Sequence, residues 1–291
     1  MPEKSGGCLF TNGNRFAGVS SQRVGGGTDR RRQAAHARNR GTYGEDHSGD
    51  YPSKRPRMIS VVVCTYNRAH LLRRMLSAFV EQEGLTYSDY ELLIIDNNSK
   101  DRTSYVAECF KMDGRMRYIF EGRQGLSIAR NRGIAEARGE IVAFLDDDVI
   151  VSPQWLLRMR ECFDTTEADV VGGKTYLVFD EPPPPWLGPA FRMMLSEVDL
   201  GATRRFVDEH EAGLLFGANL SFRKRSLLTI GGFDETLGRC GESLLGGEET
   251  AAVAAIIAAR GKVVYDPHAS DRKSTRLNSS HRVLSRMPSS A

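Results

Sequence analysis

Ile141, Val142, Ala143, Phe144 and Leu145 run without a break into Asp146, Asp147 and Asp148, and Val149 and Ile150 follow. An apolar run that ends abruptly in carboxylates reads as a strand buried on both faces, leaving the core at its carboxyl end. In an open α/β sheet that end faces the ligand crevice. Three negative charges within about 10 Å repel one another strongly unless something positive neutralises them. A divalent cation would do so. Hard oxygen ligands suit Mg2+ or Mn2+, ions that keep positions open for substrate phosphates. A solvated acidic turn is the competing reading of the tripeptide alone, so its surroundings have to decide.

Upstream, Ile59 to Cys64 is a β-branched strand, interrupted by Thr65, Tyr66 and Asn67 before a helix with apolar positions at Leu71, Leu72, Met75, Leu76 and Phe79. Asn67 is placed to cap that helix. Tyr90 to Ile95 forms a second strand and also ends in an acid, Asp96, which suits a ribose or base contact or a cap for the next helix. Met116 to Glu121 is a short third strand. Gly125 to Gly133 then opens a helix whose small residues allow close backbone approach to a ligand, and Arg130 lies near its start, within reach of a diphosphate. After the central strand, Ser152 and Pro153 start a helix, and Ala168 to Phe179 supplies another strand broken by Gly172 and Gly173. The order β-α-β-α-β-α-β-α-β predicts a mostly parallel sheet with helices on both faces.

The second half changes character. Pro182 to Pro185 with Trp186 predicts an extended loop, a lid or acceptor-facing flap. Gly217 to Arg223 reads as a strand and Arg225 to Ile230 as a helix. Glu248 and Glu249 open an alanine-rich helix that stops at Gly261, where the helix dipole favours their charge. Lys262 to Tyr265 is the last strand expected.

Charge is distributed unevenly. Residues 1–57 carry 11 Lys and Arg against 5 Asp and Glu, residues 271–291 carry 5 against 1, and the whole chain is only +3, so the part between is acidic. The basic pI therefore belongs to the ends and gives no argument for nucleic-acid binding by the core. Residues 1–57 have neither helical nor strand period and read as a disordered basic leader or a misplaced start. Residues 271–291 resemble a translated frame of a sequencing-library adapter, which predicts a non-native tail on a C-terminally truncated domain of residues 58–270. Five widely spaced cysteines with no C-x-x-C pair fit reduced thiols in the cytoplasm, and no apolar run approaches membrane-spanning length. Contact with the inner face of a membrane stays open.

In order, Val61 to Arg68, Ile94 to Ser99, Gly125 to Ile134, Phe144 to Asp148, Gly217 to Arg223, Gly231 to Glu235 and Gly246 to Glu249 resemble the family 2 glycosyltransferases of the GT-A fold. The resemblance covers roughly residues 58–270. It implies a Rossmann-like α/β sheet and inverting transfer of a sugar from a nucleoside diphosphate donor, a UDP-sugar favoured, to an envelope, polysaccharide or glycolipid hydroxyl. Thr65, Tyr66, Asn67, Asp96 and Gly125 would hold the donor, with Arg130 near its phosphates and Asp147 beside the ribose. Asp146 and Asp148 match the family's D-x-D, with Asp148 the direct Mg2+ or Mn2+ ligand. The acidic pair Glu248, Glu249 supplies the base, Glu249 favoured. The family often has Glu-Asp there, and the Q-x-x-R-W motif of processive synthases is missing. A nucleotidyltransferase would want a Gly-rich basic loop after the first strand, and a dehydrogenase a G-x-G-x-x-G. A donor-binding protein without catalysis is the non-enzyme alternative.

Overall fold

The computed structural model describes residues 58–86, 88–111, 114–179, 182–240 and 246–275. The basic leader and residues 276–291 lie outside them. The strands β1 (Ile59–Thr65), β2 (Tyr90–Asp96), β3 (Met116–Phe120) and β4 (Ile141–Asp146) form a parallel half-sheet in the order β3-β2-β1-β4. Their crossovers are α1 (Ala69–Phe79), α2 (Thr103–Cys109) and α3 (Leu126–Glu136). Alternate residues of β1 enter opposite cores. Ile59, Val61 and Val63 pack with Leu72, Met75 and Phe79 of α1, whereas Val62 packs with Ala129 and Ile134 of α3. Burial on both faces is the reason β1, β2 and β4 read as mainly apolar rather than alternating strands.

Close packing of α3 on the sheet depends on Gly133. A Cβ there would lie 2.4 Å from Val62 Cγ1, inside the core. We expect Gly133→Ala to lower stability by about 2 kcal/mol through overpacking, read as a lower urea midpoint with an unchanged slope. An unaltered midpoint would mean that α3 shifts freely on the sheet.

Beyond β4 the sheet is mixed. After β5 (Val149–Val151), α4 (Trp155–Thr166) and β6 (Val170–Phe179), a short helix α5 (Pro189–Met194) follows the expected proline loop. Next come β7 (Arg205–Phe206), α6 (Glu209–Ala212), β8 (Asn219–Arg223), α7 (Lys224–Thr229), α8 (Glu248–Ala258) and β9 (Val263–Thr275). β8 lies antiparallel between β4 and β6, and β6 pairs parallel with β9. Buried Asn219 ties the layers together, accepting from Trp155 Nε1 and donating to the Ala269 carbonyl.

β9 corrects the expectation that Tyr265 ends the last strand. It continues to Thr275, five residues past Ser270. Its second part pairs Asp271–Thr275 with Thr175–Phe179 of β6 after a register shift at Gly173/Thr175, and Lys273 sits opposite Val149 of β5. A polar sequence such as Asp-Arg-Lys-Ser-Thr carries no strand period. Here the partner strands on either side impose the extended backbone.

Candidate active site

Parallel register brings the strand ends together. Thr65 is level with Asp96, and Cys64 is level with Asp146. Asp146, which ends β4, and Asp147 and Asp148 after it therefore stand at the edge where β1 and β2 also end. Thr65 Oγ1 donates to Asp147 Oδ2 at 2.8 Å. Arg68 Nη1 donates to Asp147 Oδ1 at 3.1 Å and reaches Asp148 Oδ2 at 3.5 Å. From β9, where it sits opposite Val149, the Lys273 ammonium contacts Asp146 Oδ2 and stands 3.3 Å from Asp148 Oδ1. These two side-chain cations answer part of the repulsion of the acidic triplet. Neither was named from the sequence, although Arg68 lies within the quoted Val61 to Arg68 motif.

The three carboxylates are not equivalent. Desolvation opposes ionisation of Asp146, but Lys273 and Arg130 outweigh it and hold the group down at about 2. Burial pushes Asp147 up to about 6 against the pull of Arg68, and repulsion from Asp148 adds to the rise. Asp148 Oδ1 is buried and has no hydrogen-bond partner, since Lys273 approaches it without hydrogen-bond geometry.

The two neighbouring turns are stitched to each other. Asn67 has a left-handed backbone, φ 53°, and its Oδ1 accepts from Lys100 N while its own N–H donates to Ser99 Oγ. It does not cap α1. That role falls to Asp101, whose Oδ2 accepts from Ala69 N at 2.9 Å, because the backbone twist at Asn67 turns its side chain toward the β2–α2 loop. Asp96 does not cap α2 either. Buried, it accepts from Ser99 N and from the Tyr118 hydroxyl at 2.6 Å. Tyr66 is 43% exposed beside these turns. Gly125, φ 149°, donates its N–H to Asn97 Oδ1, which fixes the start of α3 against the end of β2.

Arg130, expected at the donor phosphates, is 3% exposed and faces the two glutamates. Nη1 donates to Glu248 Oε1 at 2.5 Å and Nη2 to Glu249 Oε1 at 2.6 Å. Burial raises the Glu248 carboxyl, with Arg130 opposing and Glu249 reinforcing the shift. Its Oε2 has no hydrogen-bond partner. Arg130 also stands 6.0 Å from the ring centroid of Phe144, two residues before Asp146 on β4, which brings the glutamate pair toward the acidic triplet.

Among the described residues, no group of three or more His, Cys, Asp or Glu side chains is gathered as a metal cage. Asp146 and Asp148 nevertheless flank a single position already held by a cationic group, and one oxygen facing it lacks a hydrogen bond. Such a donor pair fits a Mg2+ or Mn2+ ion that takes its remaining ligands from a substrate.

The family model described as Glycosyl transferase family 2 matches residues 60–231, more than half of the chain. The chain belongs to this family. The family 2 assignment agrees with the relatives it matches: glycosyltransferase AglE of Haloferax volcanii is 37% identical over 125 residues, 42% of this chain and 40% of that protein. Glucosyl-dolichyl phosphate glucuronosyltransferase of the same organism is 26% identical over 219 residues, 72% of this chain and 67% of that protein. The chain thus spans well under half of AglE. Among solved structures, residues 1–349 of Staphylococcus aureus TarS bound to UDP-GlcNAc superpose with a TM-score of 0.61 at 18% identity, covering 79% of this chain and 61% of that segment. A mannosyltransferase of Pyrobaculum calidifontis, bound to GDP-Man and Mn2+, gives 0.58 at 21% identity, covering 79% and 60%. These likenesses are of fold, and the family 2 chain has the mixed, mostly parallel sheet of the GT-A glycosyltransferases.

Proposed function

We propose that this family 2 chain transfers a sugar, with inversion, from a nucleoside diphosphate donor to an acceptor hydroxyl. What supports the reading is the acidic triplet beside the Thr65–Asp96 turns at one sheet edge, with Arg130 holding the Glu248–Glu249 pair while it stands over Phe144 of β4. Asp96 and the 65–67 turn offer acceptors, amide groups and the Tyr66 face to a nucleoside. Asp146 and Asp148 would hold the divalent ion, which when bound supplies Lewis-acid stabilisation of the leaving diphosphate. Glu249, the less buried of the pair, takes the acceptor proton. The acceptor oxygen bonds to the anomeric carbon as its bond to the diphosphate oxygen breaks, and the electron pair leaves on the nucleoside diphosphate.

UDP-GlcNAc and GDP-Man in the two similar structures support nucleotide-sugar use and leave the base open. The dolichyl-phosphate relative supports a lipid-carried acceptor, reached from a membrane surface. Among the described residues no helix is long and apolar enough to cross a membrane. The family 2 domain is proposed to span residues 58–270. Because Arg130 engages both glutamates, a donor-binding protein without transfer is the second reading.

The test is release of nucleoside diphosphate from UDP-glucose, UDP-GlcNAc and GDP-mannose by the purified chain. Turnover is expected with Mn2+ or Mg2+, to vanish in EDTA, and to fall by about 100-fold or more in Asp148→Ala. Undiminished turnover in EDTA would remove the ion from the reaction. Nucleotide binding with no turnover of any donor would favour the second reading.

A further inference from the structure

Arg130 is enclosed on every side that the structure describes. Phe144 and Phe233 frame the guanidinium, at 6.0 and 5.4 Å from their ring centroids, and its two terminal nitrogens each hold one of two consecutive glutamates. A planar fork between two carboxylates fixes both in orientation, which a lysine's single ammonium would not do. The glutamates differ in access: the Glu248 side chain is 3% exposed and that of Glu249 is 18%. Both terminal nitrogens already hold a carboxylate, so a donor phosphate would compete with the glutamates for the guanidinium.

Gly217, just before β8, gives a second and independent sign of the same arrangement. A Cβ at this position would fall 2.2 Å from Glu249 Oε1 and 2.5 Å from Arg130 Nη2. Its φ is not in the left-handed region, so the backbone would accept alanine, and what excludes a side chain is the ion pair directly above it. The space beneath Arg130 and Glu249 is thus kept free by the one residue without a Cβ.

We propose that Arg130, seated over Gly217, is a positioning residue for Glu249 and not a donor ligand. Resting on the sugar-transfer reading above, the assignment gives the three groups distinct tasks. Glu248 is the buried counter-charge that keeps Arg130 in place. Arg130 commits Glu249 Oε1, which sets the side-chain rotamer and leaves Oε2 to receive the acceptor proton. Gly217 keeps the pair from being pushed apart. A misplacement of about 1 Å in a reacting group is enough to cost roughly 100-fold in rate.

Arg130→Met, Arg130→Lys and Gly217→Ala, made in the full chain, separate this role from phosphate binding. Two quantities are measured: affinity for UDP and GDP by calorimetry with MnCl2, and turnover of UDP-GlcNAc and GDP-mannose. The expected result is nucleotide affinity within about threefold of the unaltered chain in all three variants. Turnover falls by roughly 100-fold in Arg130→Met and Gly217→Ala and is partly restored in Arg130→Lys. Gly217→Ala keeps every charge, so it carries the test if Arg130→Met does not fold. A tenfold or greater loss of nucleotide affinity in Arg130→Met, or undiminished turnover in Gly217→Ala, overturns the positioning role while leaving sugar transfer intact. An unaltered chain that turns over no donor instead overturns the transfer reading on which it rests.

Discussion

Glu249→Gln is expected to bind nucleoside diphosphate as the unaltered chain does and to lose roughly 1,000-fold in sugar transfer, the scale of a missing general base. The change is nearly isosteric and keeps an acceptor oxygen for Arg130 Nη2, so the Arg130 seat should survive. What disappears is the group that can take the acceptor proton. Glu248→Gln should behave differently. Its carboxylate is buried, already paired with Arg130, and has one oxygen with no hydrogen bond, so replacement mainly disturbs packing and the seat of Arg130. Calorimetric nucleotide binding beside product formation from labelled donor gives the comparison. If Glu248→Gln abolishes transfer and Glu249→Gln retains it, the base is the first of the pair.

Asp271→Val is expected to stabilise the fold, and more so as the pH rises. Asp271 is 1% exposed, and neither carboxylate oxygen has a partner in hydrogen-bonding geometry. Burial pushes the group up to about 8, with Thr175 and Lys273 pulling weakly against it and Asp146 and Asp148 adding repulsion. An acid whose folded-state pKa lies above its unfolded one is protonated in the native state where the unfolded chain has released its proton. Between about pH 4 and pH 8 the folded chain therefore holds the extra proton, and stability declines through that window. Valine removes the decline, is β-branched and suits a strand flanked on both sides. The gain should reach about 3 kcal/mol near pH 8, or roughly 5–10 °C in Tm, and shrink toward pH 5. Thermal unfolding of both proteins at the two pH values is decisive. An equal or larger gain at pH 5 would mean that Asp271 is not held neutral in the core.

Much of the architecture was legible because its signals are local. Parallel strands covered on both faces are mainly apolar, and each of β1, β2 and β4 ends on a polar residue, so Thr65, Asp96 and Asp146 are legible as strand ends from the chain alone. The pairings could not. Lys273 meets Asp146 across 127 residues of sequence and Arg130 meets Glu249 across 119, and nothing in a linear pattern specifies such contacts. Asp101 and Asn67 compete for one helix start, and only the dihedral at Asn67 decides between them. β5, three residues long, is too short to show a period. The expected domain limit at Ser270 is crossed by β9, whose polar residues 271–275 carry no strand period of their own.

The long final strand touches β5, β6 and β7, so three otherwise unfinished edges share one partner. A polypeptide ending at Ser270 would expose the backbone amides of β5 and the outer half of β6 as a template for pairing with other molecules. Variants meant for solubility or crystallisation should therefore keep an extended segment of matching length over positions 271–275 and alter only its side chains, with apolar groups where the pleat turns inward.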